Sequence, residues 1–247
     1  MTAEALRALH RPGEPLVLPN AWDAESARLV AAAGFPVVAT SSTAVAASLG
    51  YEDGHQAPPD DVFAALARLC RRVDVPVTAD LEGGYGLTEA DLAGRLIAAG
   101  AVGLNFEDTD HATGSGFVEA DRQAERIAAL KAAGRAAGVD IVVNARVDVH
   151  LPGSPVPAAD RLPESLRRAR AYLAAGADCV YPIFLSDPGE IGTYVKELDA
   201  PVNVLLRPGA PSIGELAALG VARISVGGGL MAAVRAAIAA ELERLRS

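Results

Sequence analysis

Ala98-Ala99-Gly100 runs into Val102-Gly103-Leu104-Asn105-Phe106, and this short stretch decides the fold. An Ala-rich helical segment stops at a glycine, the residue that most easily takes the left-handed conformation at a helix C-terminus, and an apolar strand begins at once. The phrase recurs. Ala31-Ala32-Ala33-Gly34 precedes Pro36-Val37-Val38-Ala39, and Ala136-Ala137-Gly138 precedes Ile141-Val142-Val143. Ala174-Ala175-Gly176 precedes Cys179-Val180-Tyr181, and Ala218-Leu219-Gly220 precedes Arg223-Ile224-Ser225-Val226. Variants without the glycine precede Val75-Pro76-Val77 and Val202-Asn203-Val204. With Leu16-Val17-Leu18 as the first, this makes eight short apolar strands. Helical patterns separate them at 23–33, 60–72, 88–98, 119–136, 163–174, 187–197, 212–219 and 229–245.

Strands that are nearly continuous apolar runs are buried on both faces, and strict alternation with helices means parallel pairing through crossovers. Eight such units in 247 residues have the size and count of an α/β (β/α)8 TIM barrel. A doubly wound sheet is the alternative, but the Gly-x-Gly-x-x-Gly fingerprint expected after its first strand is absent. No linker interrupts the rhythm, so residues 1–247 read as one barrel domain. The longest interruptions, 43–59, 108–118 and 147–162, read as functional or mobile loops.

Composition narrows the function. A net charge of −9 argues against a nucleic-acid groove. No apolar run is long enough for a membrane span, and Met1-Thr2-Ala3-Glu4-Ala5 lacks the features of a signal peptide. Cys70 and Cys179 are far apart with no metal spacing, which fits a reduced, cytoplasmic protein.

In such barrels the chemistry sits where strands end and helices begin. Val77-Thr78-Ala79-Asp80-Leu81-Glu82-Gly83-Gly84-Tyr85-Gly86 carries the strongest signal. Residues two apart on a strand share a face, so Asp80 and Glu82 can converge; a hard cation such as Mg²⁺ would reconcile their charges. The plainer reading is a solvated turn. Other strand ends supply Asn20-Ala21-Trp22-Asp23, Thr40-Ser41-Ser42-Thr43, Glu107-Asp108, Asn144-Ala145-Arg146-Val147-Asp148, Asn203 with Arg207, and Gly227-Gly228-Gly229. Each has a structural alternative: Asp23 as a helix cap, the serines as turn residues, Arg146 as a partner for Glu107 or Asp108. His55, His111 and His150 fall in loops, where solvation is the default. Cys70 and Cys179 read as core.

Taken in order, Ser41 with Ala46-Ala47-Ser48-Leu49-Gly50, Asp80-Leu81-Glu82-Gly83-Gly84-Tyr85-Gly86, Gly103-Leu104-Asn105-Phe106-Glu107-Asp108 and Ala145-Arg146-Val147-Asp148 resemble the isocitrate lyase/phosphoenolpyruvate mutase superfamily. The likeness covers about 16–240. It implies a barrel, a divalent ion (Mg²⁺ or Mn²⁺) and a 2-oxo acid held as an enolate. It implies a metal cluster of Asp53, Asp80, Glu82 and Glu107, with Asp80 the direct ligand. It further implies that Arg146 meets the substrate carboxylate and that Ser41, Ser42 and Thr43 form a carboxylate-binding turn. The expected substrate contacts are then Trp22, Ser41, Ser42, Thr43, Asp80, Arg146 and Asn203, with Arg146, His111 and Glu107 as catalytic groups. The resemblance also implies exchange of the last helix between subunits in a homodimer or homotetramer.

The departures bear on the reaction. The superfamily's lyases carry Lys-Lys-Cys-Gly-His after strand four, and its mutase and phosphonopyruvate hydrolase branches use a lysine and an asparagine there. Here the loop reads Asp108-Thr109-Asp110-His111-Ala112-Thr113-Gly114-Ser115-Gly116. Glu82 stands for the usual aspartate, and Ser41-Ser42 for a Ser-Gly turn. Schiff-base chemistry needs a lysine at a strand end, and Lys131 and Lys196 fall on helical patterns. Three readings remain: a carbon–carbon lyase, a hydrolase or decarboxylase of an oxaloacetate-like acid, and a non-catalytic 2-oxo acid binder.

Overall fold

The first barrel strand changes partners at Pro19. Its first half, β1 (Leu16–Leu18), pairs with β9 (Arg223–Ser225), and its second half, β2 (Asn20–Ala21), pairs with β3 (Val38–Thr40). Proline has no N–H to give a ladder, so the break falls where the strand switches neighbours. Parallel pairing continues through β4 (Val77–Asp80), β5 (Gly103–Glu107), β6 (Val142–Val147) and β7 (Cys179–Pro182). Strand β8 (Asn203–Leu205) pairs with β9 on its other side. A single bridge, Val180↔Val202, links β7 to β8 and brings the ring round. The expected α/β architecture, a (β/α)8 barrel, is therefore the fold. The computed structural model describes residues 2–114 and 116–246.

Ten helices are found among the described residues: α1 (Ala3–Ala8), α2 (Ala24–Ala32), α3 (Ser42–Leu49), α4 (Pro59–Cys70), α5 (Glu89–Ala99), α6 (Ala120–Ala136), α7 (Ala158–Ala174), α8 (Pro188–Leu198), α9 (Ile213–Ala218) and α10 (Gly229–Arg246). The main core lies between strands and helices, with Leu104, Ile127, Val143, Tyr172 and Ile224 fully buried. A second cluster joins Leu6 of α1 to Leu16, Leu18, Val37 and Val142, so α1 plugs the end of the barrel where the strands begin. Gly103 makes that plug possible: a Cβ there would lie 2.8 Å from the Leu6 side chain.

Two expectations need correction. The stretch 43–59 is not all loop, because α3 occupies its first half and ends at Gly50 with φ +89°. Its run of small residues shows no amphipathic stripe, so the periodicity is silent there. Helix α7 begins at Ala158, five residues before Pro163, which sits inside the helix rather than at its start. The segment 147–162 also holds a 3₁₀ turn at Asp148–His150. From Ala232 onward every described residue of α10 is exposed.

Candidate active site

A cavity of about 300 Å³ opens at the strand C-terminal ends. Ser41, Ser42, Thr43, Asp80, Asn105 and Arg146 line one side, and Phe184, Arg207 and the Gly227–Gly229 turn line the other. The start of α3 is held against β4: the Ser42 amide donates to Asp80 Oδ2 at 3.0 Å, and the Asp80 amide donates to Thr40 Oγ1 at 2.8 Å. A carboxylate there also complements the positive end of the helix dipole. Thr43 Oγ1 donates to Asp53 Oδ2 at 2.6 Å, which draws the exposed Asp53 toward the same helix start.

The arginine is clamped by acids. Arg146 Nε and Nη2 donate to Asp148 Oδ1 and Oδ2 at 2.6 and 3.0 Å, and Nη1 lies 2.6 Å from Glu107 Oε2. Burial disfavours its charge, but Asp148 and Glu107 outweigh burial and hold its pKa well above the usual value. Burial pushes the Glu107 carboxyl up, against the opposing pull of Arg146. Burial, with Asp53 and Glu107 adding, lifts Glu82 to about 7. Acid clustering around one point is thus visible in the protonation behaviour as well as the geometry.

Glu82 is set by backbone in the left-handed region, as are His55 and Tyr85 (φ 50°, 63° and 55°). Such strain in non-glycine residues persists only where the surroundings impose it. The Glu82 carboxylate accepts from the His55 amide at 2.6 Å and the Tyr85 hydroxyl at 3.0 Å. The His55 and His111 rings stack at 3.8 Å, and His111 Nε2 meets Glu107 Oε1 at 2.5 Å. Burial lowers both imidazoles, His55 to about 4, so both are neutral near pH 7. The loop segments that carry His55 and His111 therefore meet over Glu82 and Glu107.

These residues suit a hard divalent cation. Asp80 lines the cavity, yet its Oδ1 is buried without a hydrogen-bond partner among the described residues. A buried carboxylate oxygen left unpaired is costly unless something binds it. Oxygen ligands are what Mg²⁺ prefers. A second group, His55, Glu82 and His111, has potential ligand atoms within 4.8 Å of one another.

Ser41, Ser42, Thr43, Asp80 and Arg146 stand together on the cavity wall. Glu82 and Glu107 are buried behind it, and His111 faces a neighbouring hollow with Gly83 and Tyr85. Trp22 and Asn203 are off the wall. Trp22 borders two other hollows, a small one shared with Asp80 and Leu81 and an apolar one with Leu29 and Leu230, and Ser26 Oγ accepts from the Trp22 and Asp23 amides in the α2 capping box. Asn203 is fully buried, its amide donating to Ser225 Oγ at 3.0 Å inside the barrel. Asp108 proves structural: it accepts from the Asp148 amide, Arg168 and the Tyr172 hydroxyl, all buried. Sequence reasoning quoted Asn105 and Asp148 within motifs without giving either a role, and it passed over Arg168. Arg168 lies mid-helix, where a charged residue gives no sign of pointing inward.

The sequence model of phosphoenolpyruvate phosphomutase matches residues 6–246. The chain belongs to the phosphoenolpyruvate phosphomutase family. A crystal structure of a Burkholderia cenocepacia protein is 42% identical with a TM-score of 0.91, covering 98% of this chain and 99% of that one. Oxaloacetate acetylhydrolase in complex with the product oxalate is 26% identical with a TM-score of 0.87, covering 99% and 86%. A 2,3-dimethylmalate lyase, described as a PEP mutase/isocitrate lyase superfamily member, is 27% identical with a TM-score of 0.86, covering 100% and 85%. Mutase, hydrolase and lyase activities thus occur among proteins similar to this member of the family.

Proposed function

We propose that this protein is a Mg²⁺-dependent enzyme of 2-oxo acid chemistry that cleaves a carbon–carbon bond. The reading is carried by the unpartnered Asp80 Oδ1 on the wall of the same cavity as Arg146. Asp80 would hold the cation directly, with Asp53, Glu82 and Glu107 around it. The bound cation, Mg²⁺ or Mn²⁺, would supply charge stabilisation for an oxyanion.

This chain's residues do the rest. The Thr43 amide at the start of α3, with Ser41, receives the substrate carboxylate, while the Ser42 amide, expected to share it, holds Asp80 Oδ2 in place. The Arg146 fork, kept charged by Asp148, stabilises negative charge that develops on the 2-oxo oxygen. In retro-aldol cleavage the substrate hydroxyl gives up its proton, and the electrons of the breaking bond pass into the enolate, which is then protonated at carbon. His111 is neutral and so able to take that proton, with Glu107 orienting its ring. Loop 108–118 closes over the reacting atoms and excludes water.

A hydrolase acting on an oxaloacetate-like acid is the second reading. It is favoured by the likeness to oxaloacetate acetylhydrolase and by the absence of the lyase cysteine from loop 108–118. Assembly belongs to the same proposal. The exposed apolar residues of α10 (Val234, Ile238, Leu242 and Leu245) call for a partner, and exchange of this helix in a homodimer or homotetramer covers them.

The test is calorimetry with a panel of 2-oxo acids, with and without Mg²⁺, followed by product analysis. Pyruvate plus a second carbonyl compound identifies a lyase; oxalate plus a carboxylic acid identifies a hydrolase. Asp80→Ala should abolish Mg²⁺-dependent ligand binding while leaving the fold intact, because it sits at the rim of the barrel. Undiminished binding of Mg²⁺ and 2-oxo acids by that variant rejects the assignment.

A further inference from the structure

One cavity residue has its orientation dictated from inside the barrel. Asn105 stands on β5 between Asp80 of β4 and Asn144 of β6, paired in register with both. Its Oδ1 accepts from Asn144 Nδ2 at 2.8 Å and from Arg223 Nη2 at 3.0 Å. An amide oxygen has two acceptor sites, and both are taken. Flipping the amide would set its NH2 against two donors, so the assignment is fixed by its partners. The NH2 has no hydrogen-bond partner among the described residues, and Asn105 lines the cavity.

Arg223 is the other half of the arrangement. It is 1% exposed, and among the described residues its Nε and Nη1 have no hydrogen-bond partner and it forms no ion pair. A buried cation without a counter-charge is expensive to keep. Its position one side chain below the cavity gives it a use: its field reaches negative charge at the cavity floor through buried protein, which screens it less than bulk water would.

We propose that Asn105 contacts substrate, giving a fixed N–H donor to an oxyanion beside Asp80, and that Arg223 is the positioning residue that aims it and supports the negative charge. This rests on the 2-oxo acid reading and adds to it a donor and a buried cation on the strand side of the substrate. The ligand class is a planar oxyanion, denser in negative charge than the parent 2-oxo acid. A preorganised donor of this kind acts most on charge that develops during reaction.

Oxalate, a planar mimic of the enolate form, and pyruvate are the two probes, each titrated calorimetrically with Mg²⁺ present. Asn105→Ala should weaken oxalate roughly 10- to 100-fold, the range of a hydrogen bond to a charged group, and pyruvate less. Mg²⁺ binding alone should not change. Arg223→Met should lower the ratio of oxalate to pyruvate affinity, and Arg223→Lys should restore part of it. A purely structural role would weaken both ligands in parallel. If Arg223→Met does not fold, Asn105→Ala and Asn105→Asp carry the test, since that side chain lies on the cavity wall. Parent-like oxalate affinity in Asn105→Ala overturns the inference while leaving the 2-oxo acid reading standing. Failure of the parent protein to bind either probe with Mg²⁺ overturns both.

Discussion

At the scale of single residues, the site is a contest between acids for one arginine. Asp148 takes two of the Arg146 nitrogens and Glu107 the third. In the proposed function a substrate oxyanion shares this fork, and a planar guanidinium serves several oxygens in fixed directions. Arg146→Lys keeps the charge and loses the fork. Its 2-oxo acid affinity should fall at least about tenfold, the value of one or two charged hydrogen bonds. Calorimetry on the folded variant checks this; an unchanged dissociation constant would make Arg146 a structural ion-pair residue only.

At the scale of elements, the proposed function gives the choice of reaction to the loop between β5 and α6. It is anchored at both ends: Thr109 bridges Phe117, and Thr109 Oγ1 hydrogen-bonds Asp148. Between these anchors it lays His111 on Glu107 and against the His55 ring. Turnover should fall more in His111→Ala than in His55→Ala or His150→Ala. Equal rates on whichever substrate the panel identifies would remove His111 from the mechanism. The loop contains no cysteine, and burial pushes the thiols of Cys70 and Cys179 up to about 12. Thiols protonated at neutral pH react poorly, so iodoacetamide should leave activity untouched in the same assay.

At the scale of the whole molecule, the exposed stripe on α10 carries the proposed assembly. Burying Ile238, Leu242 and Leu245, each more than half exposed, against a partner is worth about 1.5–3 kcal/mol per side chain. Light scattering at micromolar concentration should report at least a dimer, and Ile238→Glu with Leu242→Glu should shift it to monomer. A monomeric parent refutes this.

Stability against pH is also a global property. Burial lowers His10 to about 4, with its Nδ1 2.9 Å from the Leu6 carbonyl beneath the barrel. A depressed folded pKa means the unfolded chain binds the proton first. His10 therefore contributes stability above its unfolded pKa of 6.5, lost as pH falls from 6.5 toward 4, up to about 3 kcal/mol. Burial lifts Glu82 to about 7 and Asp108 to about 6, which acts in the opposite sense. The signature is thus a difference: His10→Asn should unfold with a shallower loss between pH 6.5 and 4 than the parent. Parallel curves from urea titrations would contradict it.

The sequence by itself determined the barrel, because the period of helix, glycine and apolar strand is a local property repeated along the chain. It also marked Asp80, Glu107 and Arg146 as candidates, since charged residues at the ends of buried strands stand out against their neighbours. Helices α1 and α3 escaped it: six and eight residues long, rich in alanine, they carry too little periodicity to register. That Trp22 and Asn203 stand off the main cavity wall has a related cause. Proximity to a strand end says nothing about which way a side chain turns, and the capping box of one and the interior partner of the other decide that. Only the tertiary structure could join Asn105 to Arg223 across 118 positions, His55 to His111, or Asp108 to Arg168. Those contacts depend on how barrel strands and crossing loops meet in space, and no spacing in the chain encodes them singly.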